Sequence, residues 1–201
     1  MDKNICFVGD SIMWGAWDIE GGGWVARFRN YLEDNYDSYM AVYNLGVSGD
    51  TTTDVLKRFS TEVEARDPDL IVFGIGINDS EYVNNKSNPR VPVADFENNI
   101  KKLITLARKI TDNIALVGLT DVDESKTSPV SWNHDHYYDT ENILLYNAKI
   151  KQICEQAKLP FLDLLGVIKP ADLEDGLHPN TSGHKKIFIK VRDFLESHKL
   201  V

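Results

Sequence analysis

The chain has 201 residues, of which 42% are hydrophobic and 26% charged, and its formal net charge is -9; that is long enough for one well-buried domain and short for two. An acidic balance of this size argues against nucleic acid or an anionic membrane as a partner held by electrostatics, because phosphate binding needs clustered Lys and Arg. The basic pairs Lys101-Lys102 and Lys185-Lys186 sit inside helical patterns and read as solvated faces, and no apolar run reaches the length of a membrane span. With no charged-then-apolar leader, and with only Cys6 and Cys154, one in a strand pattern and one in a helix pattern, the expectation is a single domain over residues 1–201, a pair of reduced core thiols and a cytoplasmic protein.

Ile5-Cys6-Phe7-Val8, stopped by Gly9-Asp10-Ser11, predicts a buried strand that ends in a tight turn and delivers a serine to its carboxyl end. Residues 12–23, with Trp14, Trp17 and Gly21-Gly22-Gly23, match neither a phosphate-binding loop nor a dinucleotide fingerprint and read as a flexible loop. Trp24, Val25, Phe28, Tyr31 and Leu32 recur at helical spacing, predicting a helix to about residue 35. Val42-Tyr43-Asn44-Leu45 is the second strand, ending at Gly46-Val47-Ser48-Gly49-Asp50, and a helix from about Thr52 is stopped at Asp67-Pro68. Residues 70–75 are apolar on both faces, as a central parallel strand should be, and end at Gly76-Ile77-Asn78-Asp79. A helix through Phe96, Ile100, Leu103, Ile104 and Ala107, a strand over residues 114–119 and a long loop over residues 121–139 come next. A helix from about Thr140, a short strand at Phe161-Leu162-Asp163-Leu164, the block Asp175-Gly176-Leu177-His178-Pro179 and a last helix complete the chain.

Strand and helix alternate five times without a composition break or a repeat. The pattern predicts a doubly wound α/β domain with a five-stranded parallel sheet, strand order 2-1-3-4-5, and a switch point beside Ser11 and Asn78. Right-handed crossovers then bring four polar blocks to one sheet edge, and together these hold every part that acyl transfer requires. Ser11 is a candidate nucleophile, His178 its base and Asp175 the group that orients the base. The backbone N–H groups of Ser11 and Gly49 and the side-chain amide of Asn78 are candidate oxyanion donors. Pro179 disfavours helical backbone at His178 and delays the last helix to Thr181 or Ser182, so Asp175 and His178 share one irregular loop. Each block also has a plainer reading: Ser11 as a helix N-cap, Asp175-Gly176 and Gly49 as turns, Asn78 as a turn residue with Asp79 capping the next segment, Asp10 and Asp50 as acceptors for turn N–H groups. Their coincidence at successive strand ends favours the catalytic reading.

These blocks resemble those of the SGNH-hydrolase superfamily, the GDSL-type esterases and lipases, in the expected order and over nearly the whole chain. The matching residues are Gly9-Asp10-Ser11, Gly49 within Asn44-Leu45-Gly46-Val47-Ser48-Gly49, Gly76-Ile77-Asn78-Asp79, and Asp175-Gly176-Leu177-His178-Pro179. The resemblance implies a flavodoxin-like three-layer fold and cofactor-free, metal-free ester hydrolysis through an acyl-enzyme. It carries Ser11, Asp175 and His178 over as the triad, and Ser11, Gly49 and Asn78 as the oxyanion hole. Ile12 stands where that family's first block has leucine, a conservative apolar change, and the Gly-x-Ser-x-Gly elbow of ordinary α/β-hydrolases is absent.

The expected substrate is a small or lipid-like acyl ester, of esterase, lysophospholipase or thioesterase type; a carbohydrate O-acetylester is the alternative on the same fold. A remoter reading is a non-catalytic flavodoxin-like ligand-binding domain. Another is a metal site on His134-Asp135-His136 with Asp139. The loop over residues 121–139 leaves the catalytic edge and is longer than a connection needs to be. Its aromatic side chains Trp132, Tyr137 and Tyr138, together with Trp14, are candidates for substrate binding. His184 and His198 fall in or beside the last helix and receive no role.

Overall fold

The computed structural model describes residues 2–201. Five parallel strands form the main sheet: β1 (Lys3–Gly9), β2 (Met40–Gly46), β3 (Leu70–Gly74), β5 (Ile114–Val117) and β7 (Phe161–Leu162). Their spatial order is β2-β1-β3-β5-β7, so the expected 2-1-3-4-5 arrangement holds when only these strands are counted. Two short strands, β4 (Tyr82–Val83) and β6 (His136–Tyr137), pair antiparallel as a separate ribbon that the sequence pattern does not announce. Two residues are too few to show a period, and each lies in a stretch that reads as loop.

The long helices are α2 (Trp24–Asn35), α3 (Thr52–Glu64), α4 (Val93–Ala107), α6 (Thr140–Ala157) and α7 (Thr181–Ser197), and a one-turn helix, α5 (Glu124–Thr127), interrupts the loop over residues 121–139. α2 packs on α7, while α3 packs on α4 and α4 on α6, giving helical layers on the two sides of the sheet. β1 is the spine of the core: Ile5, Cys6, Phe7 and Val8 are fully buried, and the Phe7 ring meets Trp24 and Phe28 edge-on at 5.3 and 5.5 Å. Cys6 and Cys154 are both buried and unpaired, and burial pushes each thiol up to about 12. None of the described helices is long and apolar enough to cross a membrane.

The caps explain where the elements begin. Asn180 accepts from the N–H groups of Ser182 and Gly183, so α7 starts two residues after Pro179, as the proline predicts. Asp139 accepts from the N–H of Asn142 and starts α6. Asp79 behaves differently from the cap expected of it: it bonds backward in sequence, to the N–H and hydroxyl of Thr52 at the start of α3. Burial raises its carboxyl to about 6, against the opposing pull of the Thr52 hydrogen bonds.

Residues 12–23 are not the flexible loop that their glycines suggest. A short helix, α1 (Ser11–Trp14), begins at the serine itself, with Asp10 accepting from the Ile12 N–H. It lies directly on a row of glycines across the sheet, Gly46, Gly9 and Gly74, paired in register. A Cβ at Gly46 would stand 2.3 Å from the Trp14 nitrogen, and one at Gly9 would stand 2.2 Å from the Gly74 carbonyl oxygen. Only bare backbone leaves room for the serine to sit this close to the strand ends. Beyond α1, the buried carboxylate of Asp18 accepts from Gly21, Gly23 and both Nε and Nη2 of Arg27. Burial opposes ionisation of Asp18, but those hydrogen bonds hold its carboxyl well below the usual range. His184, fully buried, donates from Nε2 to the Ala16 carbonyl and accepts at Nδ1 from the Trp24 N–H. The histidine without a role in the sequence thus ties this loop to α2 and α7.

Candidate active site

Ser11 Oγ lies 2.9 Å from His178 Nε2, and His178 Nδ1 lies 2.7 Å from Asp175 Oδ2. The other Asp175 oxygen accepts from the backbone N–H groups of Leu177 at 3.0 Å and His178 at 2.8 Å. One carboxylate therefore fixes both the ring and the backbone that carries it. Burial works against ionisation of Asp175, but the hydrogen bonds from the His178 ring, the His178 N–H and the Leu177 N–H outweigh it and keep the carboxyl below its ordinary range. With the Nδ1 hydrogen committed to Asp175, Nε2 is free to accept from the serine hydroxyl. Beneath the serine, burial pushes the Asp10 carboxyl up to about 7, opposed by the Ile12 N–H and by His178.

Ser11, Gly49 and Asn78, the three candidate oxyanion donors, line the same cavity as His178, of about 720 Å³. Ser11 opens α1, so its N–H has no intrahelical acceptor. Gly49 has φ of 82° while a Cβ there would meet nothing within 4 Å, so conformation and not space calls for glycine. The Asn78 amide is oriented from both sides: Tyr138 donates its hydroxyl to Oδ1 at 2.9 Å, and Nδ2 donates to the Asp50 carbonyl at 2.9 Å. This assigns the amide unambiguously and leaves the second Nδ2 hydrogen for the cavity. Burial raises the Tyr138 hydroxyl well above its usual range, so it stays a donor.

The Gly49-Asp50 turn is held by residues that no motif singles out. Arg90 donates from Nη2 to the Gly49 carbonyl at 2.8 Å and pairs through Nη1 with the buried Glu81 at 2.9 Å. Arg58 pairs with the Asp50 carboxylate at 2.7 Å and reaches the Gly9 carbonyl at 3.1 Å, joining the first two blocks. Asp50 thus serves the turn, and no part of it lines the cavity.

The aromatic candidates divide. Trp14 and Trp132, each more than half exposed, line the cavity, and the Trp132 ring centroid lies 6.1 Å from that of His178. Tyr138 lines it too, besides orienting Asn78. Tyr137 does not: it stacks on Tyr82 across the ribbon, centroids 5.1 Å apart. Side chains alternate along a strand, so where His136 and Tyr138 face the cavity Tyr137 faces away. Glu81 and Arg90 are lining residues that sequence reasoning missed; His136, considered there only as a metal ligand, and Trp17 and Ile19, within residues 12–23, line the cavity as well. The loop over residues 121–139 is tied at its base, where Thr127 and Tyr138 exchange backbone and hydroxyl bonds, and presents Trp132 near its tip. His136 is engaged with Glu81 and Asp139 with the α6 cap; among the described residues no three His, Cys, Asp or Glu side chains converge to hold a metal ion.

The family described as the GDSL-like lipase/acylhydrolase family matches residues 7–186. The chain is 27% identical over 214 aligned residues to an acetylxylan esterase of Geobacillus stearothermophilus, covering 96% of this chain and 92% of that protein. The crystal structure of an acetylxylan esterase from the same organism superposes with a TM-score of 0.77 at 23% identity, covering 96% of this chain and 94% of the other. That of a lipase/acylhydrolase from Enterococcus faecalis superposes with a TM-score of 0.81 at 23% identity, covering 98% and 96%.

Proposed function

The chain belongs to the GDSL-like lipase/acylhydrolase family and is a serine esterase, and from that premise we propose that it removes short acyl groups, acetyl foremost, from hydroxyl-rich alcohols of carbohydrate type. The observation that carries the chemistry is the unbroken run of bonds from Asp175 through His178 to Ser11, opening on the donors of one cavity. Ser11 Oγ attacks the ester carbonyl while His178 Nε2 takes its proton, and Asp175 stabilises the imidazolium that forms. The oxyanion is met by the N–H groups of Ser11 and Gly49 and by Asn78 Nδ2. His178 returns the proton to the departing alcohol, and water then repeats the sequence on the acyl-enzyme to release the acid.

The substrate class draws support from the walls. Trp14, Trp17 and Trp132 form an exposed aromatic rim suited to the apolar faces of a sugar ring, while Asn133, His136 and Arg90 offer polar groups to its edges. The similarity to an acetylxylan esterase points the same way. Of the small or lipid-like acyl ester that the sequence suggested first, the lipid-like form is the competing reading.

A panel of nitrophenyl esters of increasing acyl length, run beside acetylated xylosides and lysophospholipids, separates the two. Acetyl esters should lead, and preference for long acyl chains would overturn the carbohydrate reading. Trp132→Ala should change the ratio of kcat/KM between acetylated xyloside and nitrophenyl acetate by on the order of tenfold, because the leaving group loses its aromatic contact while the reacting atoms do not. A common fall across all esters would make Trp132 a structural residue. Asn78→Ala should lower kcat on the order of 10²- to 10³-fold with KM little changed, since its amide meets a charge present only in the transition state; steady-state kinetics on nitrophenyl acetate reads this, and an unchanged kcat would reduce Asn78 to a turn residue.

A further inference from the structure

The cavity contains a second histidine-carboxylate pair that the hydrolytic cycle leaves idle. His136 Nδ1 lies 2.5 Å from Glu81 Oε1, and the other Glu81 oxygen is taken by Arg90 Nη1 at 2.9 Å. The Glu81 side chain is only 4% exposed, whereas that of His136 is 28% exposed and lines the cavity with Ser11 and His178. The pairing of β4 with β6 sets Val83 opposite His136 and so brings these chain-distant groups together.

Glu81 is in an ion pair, so it accepts from His136, and the Nδ1 hydrogen is committed to it. This is the arrangement of His178 on Asp175, with one difference: Nε2 of His178 meets the Ser11 hydroxyl, while Nε2 of His136 has no protein partner among the described residues. A neutral ring held this way presents a directed lone pair to the cavity. We infer that His136, fixed by Glu81, is a hydroxyl-binding subsite: its Nε2 receives a free hydroxyl on the alcohol portion of the ester. The inference rests on ester hydrolysis at Ser11, and it names the group by which the enzyme tells a polyol ester from an apolar one. A hydroxyl suits the site in either charge state of the ring, since it can donate to the lone pair or accept from an N–H. An apolar group set there instead leaves the ring nitrogen desolvated and unpaired, which is the costly outcome.

The test compares two esters of nearly equal shape, 2-hydroxyethyl acetate and propyl acetate. The wild type should favour the hydroxylated ester about five- to tenfold in kcat/KM, chiefly through KM, as one neutral hydrogen bond allows. In His136→Phe that ratio should fall to about one. In His136→Gln part of it should survive, because a carboxamide can donate to Glu81 and still accept from the hydroxyl. A wild-type ratio near one overturns the inference, with no variant needed, and so does a ratio that persists in His136→Phe. A purely structural lesion lowers both esters by a common factor and leaves the ratio intact, which also overturns it. If His136→Phe does not fold, as circular dichroism would report, the wild-type and His136→Gln ratios decide. The hydroxyl preference without turnover of acetylated xylosides would support this subsite while overturning the carbohydrate reading; a wild type inert to every ester would overturn both.

Discussion

Ser11→Ala is expected to reduce kcat on the order of 10⁶-fold, the size found when the nucleophile of a serine protease is removed, and to abolish labelling by a fluorophosphonate probe. The geometry makes the loss close to complete, because among the described residues no hydroxyl other than that of Ser11 bonds His178 Nε2. Ser11 begins α1, and α1 is pressed onto the Gly46-Gly9-Gly74 row, so the oxygen is fixed at the one place that His178 Nε2 reaches. Ser48 shares the cavity, but no hydrogen bond joins it to His178. The substitution removes an oxygen without disturbing the Asp10 cap or the glycine contacts, so the melting temperature should barely move. Stoichiometric probe labelling that survives in the variant would place the nucleophile elsewhere and sink the proposed mechanism.

Asp175→Asn should lower kcat by about 10⁴-fold, as the corresponding change does in the best-studied triad, and the local hydrogen bonds explain why asparagine is a poor replacement. Two backbone N–H groups, from Leu177 and His178, demand an acceptor where Oδ1 now sits. The asparagine carbonyl must answer them, which turns its NH₂ toward His178 Nδ1. Nδ1 then has to accept, the ring proton moves to Nε2, and the serine hydroxyl faces a donor instead of a base. Asp175→Ala leaves the tautomer free, so it should be the more active of the two despite its greater loss of contacts. Steady-state rates of both variants, with circular dichroism to confirm folding, decide the matter. A loss below about tenfold in Asp175→Asn would mean that His178 does not need this carboxylate for its tautomer.

Whatever short-range physics controls is legible in the amino-acid chain. Apolar runs made β1 and β3, helical spacing made α2, and Pro179 set the start of α7, because propensity, period and capping act within a few residues. Three of the four polar blocks were legible for the same reason: they follow the ends of β1, β2 and β3, and the crossover rule brings such ends to one edge. The fourth, Asp175 to His178, follows no strand end; it lies in the loop before α7, where Pro179 and the Asp-Gly pair made it legible. The same short range misled where a residue's partner lies far along the chain. The glycines of residues 12–23 suggested mobility, yet Asp18, Arg27 and His184 pin that loop. Tyr137 and Tyr138 are indistinguishable as neighbouring aromatics until a ribbon two residues long turns one into the cavity and the other onto Tyr82. Arg90 meets Gly49 across 41 residues and Glu81 meets His136 across 55. No local pattern encodes such pairs, because their energy exists only once the sheet and its loops have closed around them. The residues proposed to do the chemistry are therefore written in local sequence, whereas those that hold them in place and shape the cavity around them are selected only on folding.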